Sequence, residues 1–279
     1  MKKLGTSRKL VDCISQTFVI AYKEPTEQLT AVLTQAGCDC TVLRQVHQPG
    51  YETYSPSFLC LLNHRNAWEL ALRSQKPTLI VEADFVPVTN FAELPPPFDP
   101  SDTEMGIAWL YTCAAQIYSV NNGFGQGYST SMVAYVVTAK SARLLIDLAA
   151  QIEKDPGPRT YSPWDSGIEY SLRAQGLRNY VPFRNYGEHG GRPNPEHGKN
   201  KLSRAHRADV LYNKLAFAPM YAEINGQKNL WKWVKGRAYG RVKGMGRLLL
   251  LKYLRLEVVK KSTQGRRLVW WAIARQLTL

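Results

Sequence analysis

The sequence predicts an α/β fold on a mostly parallel sheet, followed by a basic helical segment. Three observations carry this. Apolar strand-like runs alternate with helix-like stretches through the first 81 residues, the pattern of parallel strands joined by covering helices. The composition, 44% hydrophobic and 21% charged over 279 residues, is that of a globular chain with a core. The charge is lopsided. Residues 228–279 hold fourteen Lys and Arg against one acid, Glu257, whereas residues 1–227 hold 22 basic and 21 acidic residues. These observations exclude a disordered chain, a collagen-like repeat and a small disulfide-stapled scaffold. No apolar run reaches the roughly 18 residues of a spanning helix.

The elements follow in order. Thr17–Tyr22 is a short apolar run and reads as a buried strand. A helix is expected over 25–36, stopped at Gly37, and a second strand over Thr41–Arg44. Ser55 and Pro56 form an N-terminal helix signature. The helix they start runs to about Arg73, with Phe58, Leu61, Leu62, Trp68 and Leu72 at helical spacing. Thr78–Val81 is a fully apolar strand that ends in acids. Five prolines between Pro87 and Pro100 require loop. Gly106–Tyr111 and Met132–Val137 read as strands, with glycine-rich Asn121–Gly127 between them as a loop. A helix over 139–153, a break at Asp155–Pro158, a short helix over 166–175 and a strand over Arg178–Pro182 complete the body. Residues 184–206 are polar and hold three of the five histidines.

Five cysteines, without a CxxC pair or zinc-ligand spacing, read as free thiols in a reducing compartment. Cys60, within an apolar run, reads as a buried thiol. No apolar core with a cleavage site follows the basic start, so no signal peptide is expected. Residues 228–279 also carry Trp231, Trp233, Trp270, Trp271 and the run Leu248–Leu251. Basic residues interleaved with Trp and Leu suit the surface of an anionic membrane. An RNA-binding tail and a tail packed on the body are the other readings. The expectation is a domain of residues 1–227 that stays folded without the 228–279 segment, and a cytoplasmic protein peripheral on the cytosolic face of a membrane.

The sharpest local signal is Glu82-Ala83-Asp84 at the end of a buried strand. Ligands of open α/β sheets bind at the carboxyl ends of strands. Two acids there repel each other unless a cation joins them. A hard divalent ion carrying a diphosphate meets that need; two solvated acids opening a loop are the alternative.

The run from Ser57 through His64 and Trp68, followed by Pro77 to Pro87 with its Glu82-Ala83-Asp84, resembles glycosyltransferase family 25, which includes the lipooligosaccharide galactosyltransferases. Tyr128–Leu145 and Pro163-Trp164-Asp165 are similar to two further blocks of that family. The likeness spans roughly residues 15–185. Asn63-His64 stands where the family has Ser-His, Ala83 replaces the middle acid, and the arginine expected after the first strand is missing after Tyr22. The resemblance implies a GT-A nucleotide-binding sandwich, a nucleotide-sugar donor such as a UDP-hexose, a divalent metal (Mn2+ or Mg2+) and a glycan or glycolipid acceptor. By that resemblance Asp84 would ligate the metal. Glu82 would contact the donor ribose or the metal shell, and His64 would lie under the donor site. Asp165 would deprotonate the acceptor hydroxyl. Beyond the span of the likeness, the glycines around His189 suit close backbone approach, and from that loop His189 would complete the metal shell. For His64 the other reading is a hydrogen-bonded core histidine, for Asp165 a helix cap, and for His189 a surface loop residue. A non-catalytic nucleotide-sugar or glycan-binding protein of the same fold is the alternative to a transferase; nucleic acid is the weaker partner.

Overall fold

The computed structural model of the chain describes residues 8–121, 123–193, 195–200, 203 and 205–277. Residues 1–7, on which the signal-peptide reading rests, and Asn122 lie outside them. The first half runs α1 (Leu10–Cys13), β1 (Gln16–Ala21), α2 (Glu27–Gln35), β2 (Cys40–Arg44), α3 (Pro56–Ala71), β3 (Thr78–Glu82) and β4 (Phe85–Pro87). Next come β5 (Met105–Trp109), β6 (Gln116–Asn121), β7 (Phe124–Tyr128), β8 (Ala134–Val137) and α4 (Ala139–Lys154). A 3-10 turn (Trp164–Gly167) leads into α5 (Ile168–Ala174), β9 (Arg178–Pro182), β10 (Gly187–His189) and α6 (Pro195–Lys199). The chain ends with β11 (Glu223–Ile224), β12 (Gln227–Lys228), α7 (Leu230–Leu249), α8 (Leu256–Val259) and α9 (Gly265–Leu277).

Eight strands form one sheet in the order β2-β1-β3-β8-β5-β9-β7-β6. Six run in the direction of β1, while β8 and β7 run against it. The expected α/β class with a mostly parallel sheet is therefore the observed one. The apolar strands explain the layering. Phe18, Ile20 and Ile80 point to the face covered by α3 and α4, while Val19, Leu79 and Val81 point to the other. Alternation places each set in its own core. Ser55 caps α3 by accepting from the Phe58 amide, as its sequence predicts.

One segment departs from expectation. The expected loop at Asn121–Gly127 is instead strand at its described ends: Asn121 closes β6 and Phe124–Gly127 lie in β7, paired as a hairpin. A Cβ on Gly127 would sit 2.1 Å from the Gln116 carbonyl oxygen. The glycine permits a close strand approach there, which in sequence looks like loop composition.

The basic segment also departs from it. Leu268, Trp271 and Ala272 of α9 are buried in the same core as Ile117 and Trp109. Arg275 is wholly buried and pairs with Asp209 at 2.9 Å, donating also to the Pro182 and Phe183 carbonyls. Asp209 further accepts from Gln276 and Tyr253. Helix α7 lies against the body along Gly236, Gly240 and Gly244. A Cβ on these would strike Tyr221, the Ala208 carbonyl and the Asp209 side chain respectively. Trp271, read from sequence as a membrane-surface residue, is thus a core residue. Packing on the body, one of the sequence alternatives, describes α9. Among the described residues no helix is long and apolar enough to cross a membrane.

Candidate functional site

Strand β3 ends at Glu82, and the chain turns through Ala83 and Asp84 into β4. Strand β10 pairs antiparallel with β4, placing His189 opposite Phe85. The Gly190 amide donates to the Asp84 carbonyl at 2.7 Å. This pairing brings together residues 105 positions apart: the His189 Nε2–Asp84 Oδ2 distance is 2.9 Å. Glu82, Asp84 and His189 each offer a ligand atom, all within 4.8 Å of one another. Gly191 closes over them, since a Cβ there would lie 2.3 Å from Asp84 Oδ2 and 2.8 Å from His189 Nε2. The glycines flanking His189 therefore serve close backbone approach.

The donor set fits a divalent cation. Asp84 Oδ1 and His189 Nδ1 are buried and have no hydrogen-bond partner among the described residues. Orphaned polar atoms of this kind cost free energy unless a ligand meets them. Two carboxylates and one imidazole are ligands that a divalent cation takes. Burial pulls the His189 imidazole pKa down, but the charge and hydrogen bond of Asp84 outweigh it and raise the pKa. His189 is thus tied to Asp84 by its own electrostatics.

His64 has no exposed surface. Its Nε2 lies 3.1 Å from Glu82 Oε1 and its Nδ1 lies 2.8 Å from the Tyr135 hydroxyl, which also accepts from Trp68 Nε1. The core-histidine reading describes its surroundings, with Glu82 its link to the cluster. Asp165 lies inside the 3-10 turn Trp164–Gly167, and α5 begins after Gly167 with no side-chain cap. The cap reading therefore fails for α5. Trp164 anchors the turn on α3 through a hydrogen bond to the Ser57 carbonyl and a ring contact with His64. This brings the half-buried Asp165 within the field of Glu82. Burial first, and Glu82 as a lesser contribution, push the Asp165 carboxyl up to about 6.

No protein-family model matches the chain. No curated protein matches it either. Solved structures that are similar in part include the following two. A glycosyltransferase involved in the glycosylation of the major capsid of PBCV-1 aligns with 60% of this chain and 81% of its own, at 11% identity and a TM-score of 0.40. The inositol-1-phosphate CTP transferase from T. maritima aligns with 60% of this chain and 66% of its own, at 12% identity and a TM-score of 0.33.

Several residues around the cluster carry no sequence signal. Arg207 donates to the carbonyls of His189 and Gly191 and stacks on Tyr221 at 3.7 Å, pinning the strand that carries His189. Glu188 accepts from the Ala208 amide and pairs with Arg237 of α7. The basic segment thus holds the residue next to His189. Arg44, at the end of β2, donates to the carbonyls of Tyr22 and Glu24, so an arginine does reach the end of β1, from the neighbouring strand. Helical or strand periodicity reports none of these contacts, which join elements far apart in the chain.

Proposed function

We propose that the chain is a metal-dependent glycosyltransferase that moves a hexose from a nucleotide sugar to a glycolipid or polysaccharide precursor of the cell surface. The observation that carries this reading is the Glu82–Asp84–His189 set, with the buried, unpartnered Asp84 Oδ1, at the carboxyl end of β3. A divalent ion held there would neutralise charge on the leaving diphosphate. Asp84 and His189 would hold it, with Glu82 kept in orientation by the buried His64. Asp165, near the same site, would accept the proton of the acceptor hydroxyl. A screen of nucleotide sugars, read by nucleotide release with and without Mn2+, tests the reading. Tight nucleotide binding with no turnover on any donor and acceptor would favour the non-catalytic alternative.

Asp165 sets an expected pH profile. A base works only when deprotonated, so turnover should rise as pH passes through about 6, the value to which burial pushes this carboxyl, and level off above it. In Asp165→Asn the rate should fall by about a hundredfold or more, at the scale of losing a general base, and nucleotide binding should persist. A flat profile, or normal turnover in that variant, would remove Asp165 from the chemistry.

The reading includes a membrane-peripheral site of action. The exposed side of the basic segment presents Trp231, Val242, Leu249, Leu250 and Trp270 among its lysines and arginines. Full-length protein should sediment with anionic vesicles, less so as salt rises, with a residue of binding that salt does not remove. Trp231→Ser with Leu249→Ser and Leu250→Ser should abolish that residue while leaving the fold intact. Strong, steeply salt-dependent binding to RNA with no vesicle binding would point to nucleic acid instead.

A further inference from the structure

We propose that Cys60, His64 and Glu82 form a second cation site, one that takes a thiophilic divalent ion of the zinc class. Cys60 and His64 stand four residues apart on α3, so both project from one face of the helix. That face lies against the end of β3, which supplies Glu82. The three ligand atoms fall within 4.8 Å of one another. Glu82 Oε1 is 3.1 Å from His64 Nε2 and 3.9 Å from Cys60 Sγ. Ligand atoms around a tetrahedral Zn2+ stand roughly 3.4–3.6 Å apart, and the two Glu82 separations fall on either side of that range. Small rotations of the Glu82 and Cys60 side chains would close the set.

The donor chemistry separates this site from its neighbour. Thiolate and imidazole select zinc over Mg2+ or Mn2+, whereas the Glu82–Asp84–His189 set has no sulfur. Glu82 has two carboxylate oxygens and can serve both. The surroundings supply the outer support that ligating histidines ordinarily have. With Nε2 on the ion, Nδ1–H donates to the Tyr135 hydroxyl oxygen, which Trp68 already holds in place. Three protein ligands leave a fourth position open, as in exchangeable rather than closed structural sites. Glu82 and Cys60 are both partly exposed, so an ion has a way in. The site does not depend on whether the chain transfers sugar.

The test uses the full-length apo protein, with Co2+ as a spectroscopic stand-in and Zn2+ affinity measured against a chromophoric chelator. We expect a thiolate-to-cobalt charge-transfer band in the wild type and in Asp84→Asn, and its loss in Cys60→Ser. Zinc affinity should fall at least about a hundredfold in Cys60→Ser and about tenfold in Tyr135→Phe, the lower end of losing an outer support. No band in the wild type, or an undiminished one in Cys60→Ser, would overturn the site. So would loss of the band in Asp84→Asn. Should Cys60→Ser not fold, unchanged zinc affinity in Tyr135→Phe would overturn it equally. Failure of the transferase reading would show instead as absent turnover with the cobalt band intact.

Discussion

Asp84→Asn should lower turnover by at least about a hundredfold, the scale of losing one preorganised charge contact, with little change in melting temperature. Asp84 is half-buried, at a turn whose backbone is held by the Gly190 amide rather than by the side chain. Asn keeps the shape and one oxygen but loses the charge that opposes a cation. It also loses the ionic part of the contact with His189 Nε2. His189→Ala should lower turnover in the same assay by less, because two carboxylates remain. Full activity of Asp84→Asn, or unchanged wild-type activity in excess EDTA, would end the metal assignment.

Asp209→Ala should destabilise the protein by about 3–5 kcal/mol, the cost of leaving a buried charge without its partner. Arg275, whose side chain is 1% exposed, would lose the carboxylate it pairs with. Tyr253 and Gln276 would lose their shared acceptor. For the same reason a chain ended near Gln227 should aggregate or melt early. It would lack Leu268, Trp271 and Ala272 from the core and Arg237, the partner of Glu188. Chemical denaturation followed by tryptophan fluorescence measures both. A truncated chain that unfolds cooperatively with the stability of the whole would show that the basic segment is an appendage after all.

Much of the sheet was legible because local chemistry dictates it. Runs such as Thr78–Val81 have no polar side to show, and the Ser55–Pro56 start fixes where α3 begins. Glu82 and Asp84 were legible as a pair because acids at a strand end are costly without a partner. His189 was legible only through the glycines around it, since its meeting with Asp84 depends on β10 returning to β4. The packed face of the basic segment is hidden in the sequence for a physical reason. Its glycines at four-residue spacing are the contact stripe of α7, and a stripe without side chains leaves only Trp, Leu and Lys visible. Arg275 is one cation among fourteen in residues 228–279. Its burial depends on Asp209, 66 residues earlier, and no spacing rule links the two.

The most direct test of the central claim is calorimetric titration of UDP into the protein with and without Mn2+, in wild type and in Asp84→Asn. The account predicts tight binding only for wild type with Mn2+, and weak binding in the other three conditions. Equal binding with and without the metal, or binding that Asp84→Asn leaves unchanged, would contradict it.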